Sequence, residues 1–505
     1  MQLLQLYIKD FKILKDFTID FSKEFSITDS SNVIIGENGA GKSTLIESIL
    51  RIFSALYSCK DVKEVSKILN GKDDFEFTLS YFAKAEKIIE AASTFSSHKV
   101  DYVKVTVSNI SKQWLVLDYE DKQLVNEEIN NFLFKSQYKL QDLLPKNTVL
   151  YYAGFDSRLS EFVNNYTAVY FKEWFTFLEN DSKGLSINAP IFYFNPVQFN
   201  LLLFALFCNE STEVSKFLQH KFGIIGFTEV KLNLKIPKWH KGNSVDTFWG
   251  SQGILKEALL RFESSSQEKV VTKKTIKYSY FLPSVLLNLV GQSEDISFTS
   301  EKEVFQSLVA FDIMGLLDSV EITLVKKSND TNIEISSQDL SEGEKQIISI
   351  YGLKQIMSSH EESLFLFDEP DTFLHPKWKR EFFKDIYYDE NGAKIHYGDF
   401  DIITTHSPEI IGNIDDNKSL KLISNGKILP TPIYVKGRDY NSILFSAFNS
   451  IKRDDYGKRL LEDFYNLIDS KLIDKAKIKL AEIIDKFGND DIETQKAIEN
   501  LDDFN

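Results

Sequence analysis

A chain of 505 residues with 43% hydrophobic and 26% charged composition carries enough apolar material for two to four compact units. Its formal net charge of −15 argues against broad nonspecific binding to nucleic acid. Two cysteines, Cys59 and Cys208, far apart and in no C-x-x-C spacing, argue against a disulfide framework or a zinc site and point to a reducing, cytoplasmic setting.

Residues 2–21 read as two alternating strands, LQLYIKDFKIL and FTIDF, joined by a lysine-containing turn; their early charges are unlike a signal peptide. A short apolar strand, Asn32–Ile35, then runs into GENGAGKST. This meets the pattern G-x-x-x-x-G-K-[ST] with Gly36, Gly41, Lys42 and Ser43, and Asn38 and Gly39 lie inside the loop. Glycines let successive N–H groups turn inward around phosphates, and a helix beginning near Lys42 points its positive dipole end at the same charge. On this reading the loop binds ATP. Lys42 reaches the β- and γ-phosphates, Ser43 binds Mg²⁺ and Thr44 sits near the α-phosphate.

Between about residue 70 and residue 335 strand-like segments, such as Val103–Val107 and Trp114–Leu117, alternate with helical ones, such as Glu161–Leu178 and Val214–His220. No heptad run is sustained there, so a long coiled-coil arm is not expected. The apolar run NLLLFALFC, Asn200–Cys208, is too short to span a bilayer, and no membrane partner is expected. KLNLKIPKWHK, Lys231–Lys241, interleaves four lysines with Trp239. That pattern fits either a strand of nucleic acid or the solvated face of an edge strand.

From residue 320 a hairpin is expected over Val320–Val325 and Asn332–Ser336, followed by a helix over Ser341–Ser358. LSEGEKQ opens that helix: Ser341 is its cap, Glu344 completes a capping box, and Gly343 allows close backbone approach. In SLFLFDEPDTFLHP an apolar parallel strand ends in two carboxylates. Asp368 is placed to hold Mg²⁺ with Ser43, and Glu369 to polarise a water for attack on the γ-phosphate. Asp371 would face a partner subunit from the following loop. A second buried strand, DIITTHSP, brings His406 beside the first, where it can donate to the γ-phosphate or the attacking water. After residue 440, Tyr456–Leu467 and Leu472–Phe487 read as a helical hairpin.

GENGAGKST, LSEGEKQ, LFLFDEPDTFLHP and TTHSP, in this order, resemble the Walker A, signature, Walker B with D-loop, and switch-histidine motifs of ABC-type ATPases, nearest the soluble branch of RecF, the SMC proteins and the OLD-type ATPases. The resemblance covers residues 1–58 and about 335–425. It implies an α/β ABC-type head with a mixed sheet, an ATPase core split between residues 1–70 and 336–435, a mixed α/β insertion and helical subdomain at 71–335, and a helical tail at 436–505. It further implies a homodimer or higher even oligomer in which Ser341 and Gly343 of one protomer cap the γ-phosphate bound by Gly36–Thr44 of the other, with Asp371 adding to the ATP site. Gln113, Gln137 and Gln198 are the candidates for the glutamine that completes the family's Mg²⁺ shell. Arg158, after the strand-like Val149–Tyr152, is a candidate nucleotide contact.

GRDYNSILFSAF with its helical tail resembles the C-terminal end of PtuA-like antiphage ATPases of Septu and some retrons, which work with a separate nuclease. Lys436 stands where a Toprim nuclease would carry an acid, so no nuclease activity in cis is expected. The resemblance thus implies an ATPase that gates a separate, HNH-type nuclease in antiphage defence. The alternative is a RecF-like DNA-repair or clamp ATPase that closes on DNA.

Overall fold

The computed structural model describes residues 1–21, 31–69, 75–84, 102–119, 122–135, 139–154, 159, 161, 163, 189–240, 247–251, 253–291, 297–328, 331–358, 362–389, 391–393, 395, 399–412, 414, 419–429, 435, 443, 454–489 and 491–502. The chain divides into two units, Met1–Gly437 and Arg438–Asn505.

Among the described residues, three sheets build the first unit. The central one contains β3 (Ser31–Ile35), β8 (Asn147–Tyr152), β9 (Ile191–Phe194), β15 (Ser363–Asp368), β16 (Phe400–Thr405), β17 (Leu420–Ser424) and β18 (Lys427–Leu429), in the order β18-β17-β3-β16-β15-β8-β9. Every pair is parallel except β17 with β18. β15 and β16 are buried along their whole length, which explains their unbroken apolar runs. Because β3, β16 and β15 are adjacent and parallel, their C-terminal ends open on one edge, where open α/β sheets bind ligands.

A six-stranded antiparallel sheet, β2-β1-β4-β5-β6-β7, comprises β1 (Gln2–Phe11), β2 (Leu14–Asp20), β4 (Phe77–Lys84), β5 (Tyr102–Ser108), β6 (Leu115–Tyr119) and β7 (Lys122–Val125). Leu45, Ile46, Ile49 and Phe53 of the helix Lys42–Tyr57 share one core with Leu3, Leu6, Leu79 and Val105 of this sheet and with Leu364, Leu366 and Ile402 of the parallel one. The phosphate-loop helix is thus packed between two sheets.

The third sheet, in the order β11-β12-β10-β13-β14, contains β10 (Ile224–Lys235), β11 (Glu268–Val271), β12 (Thr275–Tyr280), β13 (Leu317–Ser328) and β14 (Thr331–Ser336) and is antiparallel throughout. The lysine-bearing β10 lies at its centre and not at an edge. The expected helix at Ser341–Ser358 runs Glu342–Ser358, and at Gly352 an added Cβ would stand 2.8 Å from Leu206 of the apolar helix Phe199–Phe207.

Among its described residues the second unit has three long helices where the sequence suggested two: Asp455–Asp469, Ile473–Phe487 and Ile492–Asp502. Leu460, Phe464, Ala476, Ile483, Ala497 and Leu501 form its core, so the third helix buries apolar surface of the other two. Its short, polar sequence hid that stripe. Among the described residues no helix is long and apolar enough to cross a membrane. Most of the expected helix Glu161–Leu178, and almost all of Tyr434–Leu444, lie outside the described residues.

Candidate active site

The phosphate loop is held by close backbone approaches that only glycine allows. An added Cβ on Gly36 would stand 2.2 Å from the carbonyl oxygen of Ile423 on β17. Gly41, at φ +114°, caps the helix Lys42–Tyr57, and a Cβ there would meet Leu14 at 2.9 Å. Gly39, at φ +78°, faces open space and keeps the loop's inner surface clear for a ligand.

Lys42 is only 5% exposed, and burial lowers its pKa against the pull of Glu369 and Asp368. Its Nζ donates to the carbonyl oxygens of Gly36 at 3.0 Å and Glu37 at 3.2 Å, and lies 2.8 Å from His406 Nε2. The same Nε2 lies 2.8 Å from Glu369 Oε1. One ring nitrogen carries either a hydrogen or a lone pair, so it cannot accept from Lys42 and donate to Glu369 at once. Were Lys42 to turn to a phosphate oxygen, His406 would be left to Glu369. The bond from His406 is the first cause holding the Glu369 carboxyl below its ordinary pKa, which favours a charged base.

Asp368 is fully buried at the end of β15. Thr404, on neighbouring β16, donates to its Oδ1, while Oδ2 has no hydrogen-bond partner. Burial raises the Asp368 pKa, and Thr404, Ser43 and Lys42 oppose the shift. A desolvated carboxylate with an orphaned oxygen beside a serine hydroxyl suits a cation. Among the described residues no group of three or more His, Cys, Asp or Glu side chains could hold a metal alone. Asp368 and Ser43 would therefore hold Mg²⁺ together with phosphate oxygens and water, as this hard, octahedral ion prefers. Bound there, Mg²⁺ would neutralise phosphate charge as the terminal P–O bond breaks.

Glu369 takes φ +54°, a left-handed backbone that a non-glycine residue rarely adopts. Its N–H donates to the Thr404 carbonyl at 3.0 Å, and the Thr404 hydroxyl stands at 3.2 Å. Thr404 therefore touches both carboxylate positions, a role the sequence left unassigned. The turn aims Glu369 at His406 and into a cavity of about 280 Å³ lined also by Asp371, Thr372, Lys379, Ser407 and Glu409.

Asp371, expected to face a partner subunit, is 4% exposed within its own. Thr405 donates to its Oδ1 at 2.8 Å, and Lys379 lies 3.4 Å from its Oδ2. A sequence shows an acid after the Walker B pair but not the lysine that draws it inward.

Ser341 is exposed at the start of the signature helix. Its N–H donates to Glu344 Oε2 at 2.8 Å and its Oγ accepts from the Glu344 N–H at 3.3 Å, so the capping box is present. Gly343 is buried, with an added Cβ 3.0 Å from the Phe373 carbonyl oxygen and 3.2 Å from Trp378. Its smallness lets the loop after Glu369 pack on the signature helix, and Gln346 Oε1 accepts from the Phe373 N–H at 3.0 Å.

The strand beside β15 on its other flank is β8, whose continuation Ala153 donates to the Asp368 carbonyl at 3.2 Å. None of the three candidate glutamines is on it. Gln113 follows β5 in the six-stranded sheet, and Gln198 follows the edge strand β9 and bonds Asn195 in a local capping box at 3.2 Å. Gln137 and Arg158 lie outside the described residues. In the third sheet Lys231 pairs with Glu229 at 2.6 Å and Lys235 with Asp318 at 3.4 Å, so these two lysines do not form an unpaired basic stripe.

Two family models match: "AAA domain" over residues 5–207, and "AAA domain, putative AbiEii toxin, Type IV TA system" over residues 215–412. The chain is 25% identical over 252 residues to the "Retron Ec83 probable ATPase" of Escherichia coli, a match spanning 47% of this chain and 45% of that protein. The chain thus covers less than half of that relative's length. Among solved structures it is similar to an Smc head bound to the C-terminal winged-helix domain of ScpA, at 14% identity and a TM-score of 0.32, covering 85% of this chain and 98% of that one. It is also similar to the SMC head domain from Thermotoga maritima, at 12% identity and a TM-score of 0.31, covering 85% and 99%. The first family match contains the phosphate loop and the second contains both carboxylates, so the chain is similar to AAA-domain proteins and to the retron ATPase.

Proposed function

We propose that this chain binds and hydrolyses ATP with Mg²⁺ between two head-to-tail copies of itself, and that the cycle gates a separate nuclease in bacterial antiphage defence. The observation that carries the reading is the convergence, at one edge of the parallel sheet, of Lys42, Asp368, Glu369 and His406, with His406 Nε2 2.8 Å from both Lys42 and Glu369. Asn38, Gly39, Gly41, Lys42 and Thr44 bind the phosphates, and Ser43 and Asp368 hold the metal. Glu369 takes a proton from the attacking water, and His406 orients Glu369. Ser341 is exposed at the helix start, where it would meet a phosphate bound by a second copy, while buried Gly343 would contribute through the backbone of the same first turn.

The defence role is supported by the similarity to the retron ATPase and by the toxin system named for the family that matches residues 215–412. Light scattering tests the dimer. ATP and Mg²⁺ should double the mass, and Ser341→Arg should bind ATP yet remain single; a mass unchanged by ATP in the unaltered protein would refute it. Gating is tested by co-expression with the adjacently encoded protein. An HNH-type nuclease whose activity follows the nucleotide state is the expected result, and a neighbour that neither co-purifies nor cuts nucleic acid would overturn it.

A further inference from the structure

The cavity lined by Glu369 and His406 is also lined by a cation, Lys379, that the assigned roles leave unused. Lys379 lies in the first turn of the helix Pro376–Tyr387, where the helix dipole disfavours a positive charge. Its side chain is 21% exposed and reaches Asp371 Oδ2 at 3.4 Å, and the other oxygen of that carboxylate accepts from Thr405 at 2.8 Å. The three groups form a chain from the helix, through the loop that begins at Glu369, to the residue preceding His406. Glu369, Asp371, Lys379 and His406 line the same cavity.

We propose that Lys379 is a positioning residue for ATP hydrolysis: its ammonium holds Asp371, and through it Thr405, so that the Glu369 loop and the His406 strand end close on one cavity. The inference rests on the ATPase reading above and adds to it an intramolecular latch. Removing Lys379 leaves Asp371 buried with one partner fewer. The loop then relaxes outward, and Glu369 and His406 lose their common register. Lys42 keeps its bonds to the Gly36 and Glu37 carbonyls, which the latch does not supply, so ATP affinity is expected to hold even as its neighbour His406 shifts.

The test compares Lys379→Met, Lys379→Arg and Asp371→Asn with the unaltered protein for ATP affinity by direct binding and for kcat and KM by phosphate release. Lys379→Met should lower kcat roughly ten- to a hundredfold, the size of loss that a misplacement of about 1 Å produces, with ATP affinity preserved. Lys379→Arg should restore most of kcat, since a guanidinium can also hold the carboxylate. Lys379→Met combined with Asp371→Asn should lose no more than the worse single variant. Unchanged kcat in Lys379→Met, affinity falling in step with kcat, or Lys379→Arg no better than Met would each overturn the proposal. Failure of the ATPase reading itself looks different: Glu369→Gln would then turn over ATP as the unaltered protein does.

Discussion

The parallel sheet and the third, antiparallel sheet both carry lysines and acids at short spacing, yet they use them in opposite ways. At the C-terminal edge of the parallel sheet, charge is left incompletely satisfied: Asp368 Oδ2 has no partner, and Lys42 rests on backbone carbonyls. In the antiparallel sheet, charge runs along a face and is neutralised by neighbours, as in Lys231 with Glu229 and Lys235 with Asp318. Unmet polar groups converging at the ends of parallel strands mark a place where a ligand completes the bonding. Paired groups along a pleat mark a solvated surface.

The largest expected effect tests the unsatisfied side of this contrast. Lys42→Ala removes charge-assisted bonds worth about 1.5–3 kcal/mol each. With two such bonds to phosphate, ATP affinity should fall roughly a hundredfold or more. Equilibrium binding with a fluorescent ATP analogue reads this directly, and normal affinity would remove the phosphate-loop assignment. Next comes Glu369→Gln. Losing the base should cut turnover by about 10²–10⁴-fold with ATP still bound and the ATP-dependent dimer longer lived. Turnover equal to that of the unaltered protein would end the role given to Glu369.

A third charged cluster belongs to neither class. Lys354, 1% exposed on the signature helix, lies 2.9 Å from Asp399 and 3.1 Å from Asp401 at the start of β16, over the Phe365 ring. It is buried and satisfied, so it ties the signature helix to the strand whose far end leads to His406. Lys354→Met leaves two buried carboxylates without their cation and should cost about 3–5 kcal/mol, read by chemical denaturation. Burial, only partly offset by Lys354, pushes the Asp399 carboxyl up to about 6. The folded state therefore keeps a proton that the unfolded chain releases near pH 4. Stability from this group falls as pH rises from about 4 to about 6 and is level above. Asp399→Asn should remove that slope from a plot of Tm against pH, and a slope identical in the variant would locate it elsewhere.

These clusters also show what the sequence could reveal. The strands carrying Asp368 and His406 were legible because both faces of a parallel strand are buried, which leaves an apolar run cut off by charge. The phosphate loop was legible because Gly36 is fixed by a backbone contact that admits no side chain and Gly41 by a φ of +114°. The inward turn of Asp371 was not, because it depends on Lys379, and a loop acid reads the same whether it meets solvent or a lysine. Nor was the place of β10: an alternating strand with lysines on one face looks alike at a sheet's edge and at its centre. The third tail helix escaped because only Ala497 and Leu501 of its residues are buried apolar ones in the tail's core.

The smallest expected effect tests the satisfied side. Lys231 and Lys235 lie on half-exposed ground with acids close by, a setting in which each pair is worth about 0–1 kcal/mol. Lys231→Ala with Lys235→Ala should therefore leave unfolding nearly unchanged and ATP turnover unaltered. If duplex DNA binds this protein at low salt, the double variant should show the same affinity and the same dependence on salt concentration, since lysines already paired with carboxylates release no counterions from a phosphate backbone. A salt slope lowered by about two, one for each lysine removed, would mean that these pairs open to take phosphates. The antiparallel sheet would then be a second binding surface, and the rule separating strand ends from strand faces would fail in this molecule.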